Sequence, residues 1–347
     1  MKVAVFQGPR HIVIEERPTP EVQSGDVLVK VEYCGICGTD VHGYVSGVQF
    51  PSGTIIGHEF SGTVAEIGEN VKGLKLDDRV AIKPFAQCGE CYWCRKGQYS
   101  LCAQFSKRAM GFSVENPGAL AEYVLIRYPE KMIYQLPSDV PFVEAALVEP
   151  FATSLHAIRL SRFKPGDIVV ISGAGMIGLG ILQFLKLEKA GKVIVLEISQ
   201  AKSKIAKELG ADLILDPAAG REEITRRIFQ ETNGIGADLV FESAGVPASF
   251  QQCSDYVKKG GQVMVVGSSE KETPMISRQL VLREVELKAS FVYYDEFKEA
   301  LQYLGQKSLK PHLFVSDVIP LGNVEKRGFE RLSASPDFVK ILVRPTD

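Results

Sequence analysis

Residues 168–178 read IVVISGAGMIG, an apolar run that leads directly into Gly173, Gly175 and Gly178. The run predicts a buried β-strand, and the glycines predict a tight turn that opens a helix. A second apolar strand ends at Glu197, about twenty residues further along, where dinucleotide-binding turns have an acidic residue. Gly173 would permit the turn, Gly175 would let the backbone approach a diphosphate, and Gly178 would let helix and strand pack closely. The stretch therefore predicts a dinucleotide site.

The cofactor expected at this site is NAD. Backbone N–H groups at Met176 and Ile177, in the first turn of the predicted helix, would face the phosphates. A carboxylate at Glu197 would accept hydrogen bonds from ribose hydroxyls and repel a 2′-phosphate, which favours NAD over NADP. The alternative is a turn of the same form that holds no nucleotide.

Strands and helices alternate around this turn, from about residue 144 to residue 288. The predicted strands are 168–171, 193–196, 213–215, 237–242 and 262–266. The predicted helices are 144–160, interrupted at Pro150, then 176–189, 200–209, 222–230 and 248–257. Such alternation predicts an α/β fold with a parallel, doubly wound sheet. Residues 1–148 differ, because short strands punctuated by Gly and Pro predict an irregular β-rich domain.

Length and composition limit the class of protein. A chain of 347 residues exceeds one ordinary core, so two domains are expected. With 45% hydrophobic residues, whole-chain disorder is excluded. The 40 basic and 42 acidic residues give no basic excess, so no nucleic-acid partner is expected. Residues 168–185 carry no charge, but their glycines favour a strand, turn and helix over a membrane span. With no secretory signal visible, a cytoplasmic protein is expected.

Six of the seven cysteines fall in two tight groups, which favours metal binding over disulfides in a chain with no secretory signal. The larger group consists of Cys88, Cys91, Cys94 and Cys102. Four thiolates bind Zn²⁺ tetrahedrally and leave no position for a substrate, so this zinc would be structural. Disulfides and a nucleic-acid zinc ribbon are the alternatives. The Cys pairs of a ribbon are usually farther apart, and the charge balance gives it no support.

The smaller group, Cys34 and Cys37, has possible metal ligands elsewhere in the sequence. These are His58, Glu59 and Glu149, and the same constellation includes Thr39 and His42 shortly after Cys37. Taken alone, Cys34 and Cys37 could form a redox pair. No thioredoxin-like pattern surrounds them, however, and imidazole and carboxylate groups are available to complete a zinc site. The sequence therefore favours a second metal site.

These motifs resemble those of the zinc-containing medium-chain alcohol/polyol dehydrogenase family, over the full length of the chain. The stretch Gly57-His58-Glu59-Phe-Ser-Gly62, followed by Gly68 and Val71, matches the family's zinc signature at every spacing. The four-cysteine group, the glycine turn and the ending Val339-Lys-Ile-Leu-Val also resemble the family.

The resemblance implies a domain layout. A GroES-like catalytic domain would span 1–148 and carry the structural-zinc lobe at 88–102. A Rossmann NAD-binding domain would span 149–288. Residues 289–347 would return to the catalytic domain.

The resemblance also assigns roles to residues at the matching positions. Cys37, His58 and Glu149 would be the protein ligands of a catalytic zinc. Glu59 would be an alternate ligand or lie behind the ligands, and Cys34 would be a neighbour that does not bind the metal. Two zinc ions per chain are thus implied, one catalytic and one structural.

The implied reaction is hydride transfer from an alcohol to NAD, with zinc as Lewis acid on the hydroxyl. Thr39 and His42 match the family's proton-relay positions, and histidine suits proton exchange with solvent. Thr153 matches a position beside the nicotinamide.

Within the family, the chain most resembles the butanediol and sorbitol dehydrogenase groups. Sorbitol enzymes usually have Tyr directly after the relay histidine and Arg before the tyrosine that matches Tyr293. This chain has Gly43 and Val292 at those positions. The loss of two polar groups favours a short diol such as 2,3-butanediol over a long polyol. The match to the butanediol group is incomplete, since the segment between Tyr44 and Gly57 is shorter than usual.

Several alternatives stay open on the sequence alone. Sorbitol or other polyols, sugar-alcohol phosphates and L-threonine are substrates of similar enzymes, and a phosphate would need cations such as Lys83, Arg159 or Arg283. A zinc-free reductase would lack Cys37 and His58. A structural NADH-binding protein is the non-enzyme alternative. Relatives are usually homodimers or homotetramers.

Overall fold

The structure is a computed structural model that describes residues 1–346. The chain forms two compact units. The first comprises Met1–Glu149 and the segment that begins at Phe297, and the second comprises Pro150–Glu296. The predicted boundaries lay at 148 and 288, so the second one falls later than predicted. The reason is that the residues after 288 still contact the second unit, since the backbone N–H of Ser290 donates to the carbonyl of Val265 and the Glu296 carboxylate lies 2.9 Å from Nδ1 of His156.

Sixteen strands are found in the described residues. They are β1 (Lys2–Gly8), β2 (His11–Glu16), β3 (Val27–Gly35), β4 (Thr54–Ile55), β5 (Glu59–Ile67), β6 (Arg79–Ile82), β7 (Tyr123–Ile126), β8 (Ile133–Gln135), β9 (Ile168–Ser172), β10 (Lys192–Leu196), β11 (Leu213–Leu215), β12 (Ala237–Glu242), β13 (Val257–Val265), β14 (Glu286–Ala289), β15 (Val315–Pro320) and β16 (Lys340–Arg344).

The α-helices of the same residues are mostly short in the first unit and longer in the second. They are α1 (Gly38–Ser46), α2 (Tyr92–Arg95), α3 (Phe105–Arg108), α4 (Pro129–Met132), α5 (Phe142–Ala145), α6 (Val148–Leu160), α7 (Met176–Leu187), α8 (Gln200–Glu208), α9 (Arg221–Glu231), α10 (Pro247–Tyr256), α11 (Ser277–Val281), α12 (Glu296–Gly305) and α13 (Glu330–Ala334). Short 3₁₀ turns and a π-helical segment at Val324–Phe329 lie between some of them.

The first unit is built on two sheets. Strands β2-β1-β4 form the smaller one, and β15-β16-β3-β5-β6-β8 form the larger one, with β7 also paired to β3. The strand β16 from the end of the chain pairs with β3 at Cys34 and Gly35, while β5 pairs with the same end of β3. Residues from three distant parts of the sequence therefore meet at this end of the sheet.

The second unit is a parallel sheet in the order β11-β10-β9-β12-β13-β14. Strand β9 lies at the point where the order reverses, which is where ligands bind in open α/β sheets. The central strands are almost entirely apolar because helices cover both faces of such a sheet. The predicted doubly wound α/β class is confirmed. The edge strand β14 was not foreseen, since its alternation of Glu and Lys with apolar residues resembles a solvated loop.

Two smaller expectations have clear outcomes. Pro150 does not interrupt a helix, because the break lies at residues 146–147 and Pro150 stands in the first turn of α6, where no N–H is needed. The uncharged stretch 168–185 forms β9 and α7 as predicted. Among residues 1–346, no helix is both long enough and apolar enough to cross a membrane.

Candidate active site and cofactor site

Four thiols converge in the lobe at 88–102. The sulfur atoms of Cys88, Cys91, Cys94 and Cys102 all lie within 4.8 Å of one another, and none is in a disulfide. The sulfurs of Cys88 and Cys94 are 3.7 Å apart. A tetrahedron of Zn–S bonds of about 2.3 Å has edges of about 3.8 Å, whereas a disulfide bond is about 2.05 Å long. The arrangement therefore fits a four-thiolate zinc.

Backbone amides favour the thiolate form at part of this lobe. The N–H of Cys88 lies 3.3 Å from the Cys102 sulfur, and the N–H of Cys91 lies 3.4 Å from the Cys88 sulfur. Hydrogen bonds from the N–H groups of Ala103 and Cys94 lower the pKa of Cys91 to about 6 in the metal-free chain. Burial instead raises the pKa of Cys94 to about 12. Because zinc binds thiolates, the amides prepare some of the ligands before the metal arrives.

A second cluster lies at the end of β3 in the first unit. The Cys37 sulfur, a ring nitrogen of His58 and a carboxylate oxygen of Glu59 all lie within 4.8 Å of one another. Cys37 follows β3 directly, and Glu59 begins β5, where it pairs with Gly35 of β3. Thiolate, imidazole and carboxylate are ligands of catalytic zinc, and three protein ligands leave one position open. The donor set therefore fits the predicted metal.

Asp40, which is fully buried, contacts two of these three residues. Its Oδ2 accepts a hydrogen bond from the N–H of Cys37 at 3.0 Å, and its Oδ1 lies 3.4 Å from Nδ1 of His58. Burial lowers the pKa of His58, but Asp40 and Cys37 raise it by more, so the net shift in the metal-free chain is upward. A carboxylate beside Nδ1 leaves Nε2 for a metal and fixes the orientation of the ring.

Lys340 of β16 balances the charge of Glu59. Its Nζ donates to the two carboxylate oxygens at 2.8 and 2.6 Å and to the carbonyl of Ile36 at 3.0 Å. Both side chains are at most 2% exposed. Glu59 is thus close enough to Cys37 and His58 to share a metal with them, and both of its carboxylate oxygens also accept from Lys340.

Glu149, in the first turn of α6, is not one of the three clustered ligands. Its pKa is raised to about 7, chiefly by burial, while His58 lowers it and Glu59 raises it. Glu149 therefore interacts with the charges of His58 and Glu59 but is outside the group of three clustered ligands. The assignment of Glu149 as the third zinc ligand stays a prediction.

The remaining predicted residues of the first unit lie on or next to α1. Thr39 is half-buried and His42 is exposed. Cys34 is fully buried and its sulfur lies 3.6 Å from the carbonyl oxygen of Gly35, outside the cluster that contains Cys37.

The turn before α7 shows why its glycines are needed. Gly173 has φ of +99°, and a Cβ on Gly178 would lie 1.9 Å from the carbonyl oxygen of Gly173. A Cβ on Gly175 would meet no atom within 4 Å, so the space beside it is open. Met176 and Ile177 then form the first turn of the helix. A helix N-terminus with open space beside its backbone N–H groups suits a diphosphate.

Glu197, at the end of β10, has protein partners that the sequence did not reveal. One carboxylate oxygen accepts from the N–H of Ala174 at 2.7 Å, and the other accepts from the N–H of Ser199 at 2.8 Å. The side chain therefore fixes the glycine turn to the loop after β10. Each oxygen keeps a second lone pair for a ribose hydroxyl. Thr153 lies half-buried near the start of α6.

Two family descriptions match the chain. Residues 23–138 match the alcohol dehydrogenase GroES-like domain, and residues 177–306 match the zinc-binding dehydrogenase domain. The (R,R)-butanediol dehydrogenase of Bacillus subtilis (strain 168) is 33% identical over 360 residues, which cover 99% of this chain and 100% of that protein. The chain belongs to the zinc-containing alcohol/polyol dehydrogenase family.

Other relatives of this zinc-type dehydrogenase show the range of the family. Sorbitol dehydrogenase of the same Bacillus strain is 31% identical over 354 residues, which cover 99% of this chain and 97% of that protein. A solved structure of a zinc-binding dehydrogenase from Sinorhizobium meliloti 1021, bound to NADP, is 31% identical with a TM-score of 0.90, and the match covers 99% of each chain. The predicted family and enzyme class are therefore confirmed.

This zinc-type dehydrogenase is an oxidoreductase of alcohols that uses zinc and a nicotinamide dinucleotide. Zinc, when bound, supplies a Lewis acid that polarises a substrate oxygen, and the nicotinamide accepts hydride. The protein supplies the ligands, their orientation and a buried setting for them.

Sequence reasoning missed two buried charged residues of the site. Asp40 is the third residue of helix α1, where an acidic side chain can accept a hydrogen bond from the backbone N–H of the N-cap residue, here Cys37. This pattern could have revealed Asp40. Lys340 lies 281 residues from Glu59 along the chain, and no local pattern links the two.

Proposed function

We propose that this protein oxidises secondary alcohols with NAD, and that a short diol such as 2,3-butanediol is its favoured substrate. The observation that carries the proposal is the cluster of Cys37, His58 and Glu59, whose ligand atoms lie within 4.8 Å of one another. A set of three protein ligands leaves an open position for a substrate oxygen. The relatives named as butanediol and sorbitol dehydrogenases support alcohols of this class.

In this proposal the residues of the site fall into zinc ligands and a proton relay. Cys37 and His58 hold the catalytic zinc, with Glu149 as third ligand and Glu59 as its alternate. The hydroxyl of Thr39 accepts the substrate proton, and His42 releases it to solvent from the exposed face of α1.

Two positions support a short substrate. A Cβ on Gly43 would lie 2.2 Å from a ring carbon of Phe50, so a tyrosine at the position where polyol enzymes usually carry one would require Phe50 to shift. The side chain of Val292, at the position where sorbitol enzymes usually have Arg, cannot form a hydrogen bond. A long polyol would lose two polar partners, and each unpaired hydroxyl that it buried would cost binding free energy.

The substrate proposal is tested by following NADH or NADPH formation at 340 nm with zinc-loaded protein. The panel contains the 2,3-butanediol stereoisomers, sorbitol, xylitol, L-threonine, simple secondary alcohols and a sugar-alcohol phosphate, each with NAD and NADP. The expected result is the highest kcat/KM for a butanediol stereoisomer with NAD. A higher value for a polyol would contradict the short-diol proposal and leave the mechanism standing.

A polyol such as sorbitol is the second candidate, favoured by the relative that bears that name.

A phosphorylated substrate is disfavoured because the candidate cations are engaged elsewhere. Arg159 pairs with Glu188 at 2.6 Å, and Lys83 is buried with its Nζ 3.2 Å from the Gln87 side chain. Absence of turnover with every member of the panel would indicate a substrate outside the panel.

The preference for NAD rests on Glu197. Its carboxylate is fixed by two backbone amides, so it cannot move away from an added 2′-phosphate without breaking them. Repulsion at that position supports NAD over NADP. The cofactor arm of the panel tests this directly, and a higher kcat/KM with NADP would contradict it.

We further propose that two copies associate through the edge of the parallel sheet. Strand β14 is at that edge, and large apolar side chains around it are exposed. These are Ile276, Val281, Leu282, Leu287 and Phe291, at 66%, 72%, 64%, 38% and 52% exposure. An unpaired strand edge beside exposed apolar groups favours pairing with another copy. Sedimentation should show a dimer that Leu282→Glu weakens, and a monomeric wild-type protein would contradict this.

A cytoplasmic location remains our expectation.

A further inference from the structure

Glu242, the last residue of β12, is a buried carboxylate with no part in the sites described above. Its side chain belongs to the second unit and the residue is only 1% exposed. No ion pair within residues 1–346 includes it. Burial raises the pKa of its carboxyl above the usual value, and the hydrogen bonds that it accepts lower the pKa by less. A carboxylate buried without a cation is costly, so the hydrogen bonds around it need a reason.

Three donors converge on one oxygen of this carboxylate. Oε1 of Glu242 accepts from the backbone N–H of Ala244 at 3.1 Å and from that of Gly245 at 3.0 Å. It also accepts from the hydroxyl of Ser249 at 2.7 Å. Gly245 has φ of +68°, so the chain turns sharply here between β12 and α10. Hydrogen bonds to a charged acceptor are strong, and the carboxylate therefore fixes the loop at residues 243–246.

This loop packs directly against the glycine turn that follows β9. The Oγ of Ser243 lies 3.1 Å from the carbonyl oxygen of Ser172 and 2.9 Å from that of Gly173. The N–H of Ser243 donates to the carbonyl of Ser172 at 2.9 Å. A Cβ on Gly173 would lie 2.8 Å from the Cα of Ala244, so the two backbones are in close contact. The loop is thus a wall of the turn.

A second route joins the carboxylate to the turn through two hydroxyls. The Oγ atoms of Ser249 and Ser172 are 2.8 Å apart. Because the hydrogen of Ser249 is given to Glu242, the hydroxyl of Ser172 is the donor in this contact. Ser172 is the last residue of β9 and directly precedes Gly173. Both routes therefore end at the same place, the start of the glycine turn.

We propose that Glu242 is a positioning residue for the dinucleotide, which holds the glycine turn, through Ser243 and Ser249, in the form that binds the diphosphate. This inference rests on the part of the proposed function that puts the dinucleotide at this turn. A carboxylate that faced the diphosphate would repel it, so Glu242 acts through its neighbours. Its loss should weaken the binding of every ligand that carries the diphosphate.

Three variants and a control separate positioning from general support of the fold. Glu242→Ala removes the acceptor, whereas Glu242→Gln keeps an acceptor oxygen and the shape of the side chain. Ser249→Ala breaks one of the two routes to the turn. The matched control is Thr232→Val, before the opposite end of β12. The Thr232 hydroxyl is also buried, and it donates to the carbonyl of Ile228 at 2.8 Å and accepts from the N–H of Gly236 at 3.0 Å.

The main readout is the Kd of zinc-loaded protein for NADH and for ADP-ribose, measured by isothermal titration calorimetry. Glu242→Ala should raise both Kd values by about tenfold or more, since the turn is no longer held for binding. Glu242→Gln should stay within about threefold of wild type, and Ser249→Ala should lie between the two. Thr232→Val should lower the urea midpoint of unfolding and leave both Kd values unchanged. Zinc content should not change in any variant.

Other outcomes overturn the inference. Kd values for Glu242→Ala within threefold of wild type, or an equal rise in Thr232→Val, would show that Glu242 does not position the turn. A rise for NADH alone would place its effect away from the diphosphate. If Glu242→Ala does not fold, Ser249→Ala takes its place, and unchanged Kd values in that variant would overturn the proposal.

Hydrogen exchange of wild-type protein separates failure of this inference from failure of the proposed cofactor site. NADH should protect the amides of residues 173–178, as measured by mass spectrometry. Protection of these amides, with unchanged binding in Glu242→Ala, would overturn the positioning role alone. Absence of protection at saturating NADH would overturn the cofactor site at the turn and the positioning role together.

Discussion

The ammonium group of Lys340 lies 2.8 Å from one carboxylate oxygen of Glu59 and 2.6 Å from the other, in a site where both side chains are almost fully buried. Strand β3 brings them together, because it pairs with β16 and with β5 at the same end. The ion pair therefore lies at the cluster formed by Cys37, His58 and Glu59.

Lys340→Met should therefore destabilise the protein strongly. The substitution leaves the Glu59 carboxylate buried without its cation, which should lower the free energy of unfolding by about 3–5 kcal/mol. Urea unfolding of the zinc-loaded protein measures it. The control is Lys30→Met, since Lys30 and Glu32 form an exposed pair at 3.8 Å that should contribute less than about 1 kcal/mol. Equal effects of the two substitutions would contradict a special role for the buried pair.

Cys37→Ala should remove one zinc per chain and abolish turnover. Loss of the thiolate removes a ligand of the catalytic metal, while the four-cysteine lobe keeps its own zinc. Because the Lewis acid supplies several kcal/mol, kcat should fall by at least about 10³-fold. Elemental analysis gives the zinc content, and circular dichroism should show an intact fold. Cys34→Ala, which removes a thiol outside the cluster, should keep two zinc ions. A Cys37→Ala variant that is active and fully loaded would refute the assignment.

Removal of zinc should make Cys91 reactive. With its pKa lowered to about 6, Cys91 is a thiolate at neutral pH, and its alkylation by iodoacetamide should slow only as the pH falls through about 6. Cys94, with a pKa raised to about 12, should react slowly throughout this range. Mass spectrometry of the labelled peptides after chelator treatment measures both rates. The zinc-loaded lobe should be protected, and rapid labelling of loaded protein would argue against a structural zinc.

His42→Ala should alter the pH dependence of alcohol oxidation. Without the relay, the substrate proton must leave to hydroxide in bulk water, so the defect should grow as the pH falls. A deficit of up to about 100-fold at low pH is expected, at the lower end of the range for a positioned proton-transfer group. Steady-state rates between pH 6 and 10 test it. A parallel pH profile for variant and wild type would remove His42 from the relay.

The parts of the molecule that depend on local spacing could be predicted from the sequence. The glycine turn, its strand and helix, and the convergence of the four cysteines all involve residues close in the chain. The pairing of Lys340 with Glu59 could not be foreseen, because it depends on how distant strands pair in a sheet. The strand β14 was missed because Glu and Lys alternate with its apolar residues, so the segment resembles a solvated loop.

Matching the sequence to the family's ligand positions does not decide whether Glu149 binds the zinc. The resemblance implies that it is a zinc ligand, but Glu59 is the carboxylate that clusters with Cys37 and His58, with ligand atoms within 4.8 Å of one another. Which carboxylate completes the ligand set depends on charge and packing around a bound ion.

The most direct test of the central claim follows the transferred hydride itself. Zinc-loaded protein is incubated with NAD and 2,3-butanediol deuterated at both carbinol carbons, and the NADH that forms is examined by NMR. The account predicts deuterium at C4 of the nicotinamide ring, on one face only. No transfer of deuterium, with zinc and NAD both bound, would contradict it.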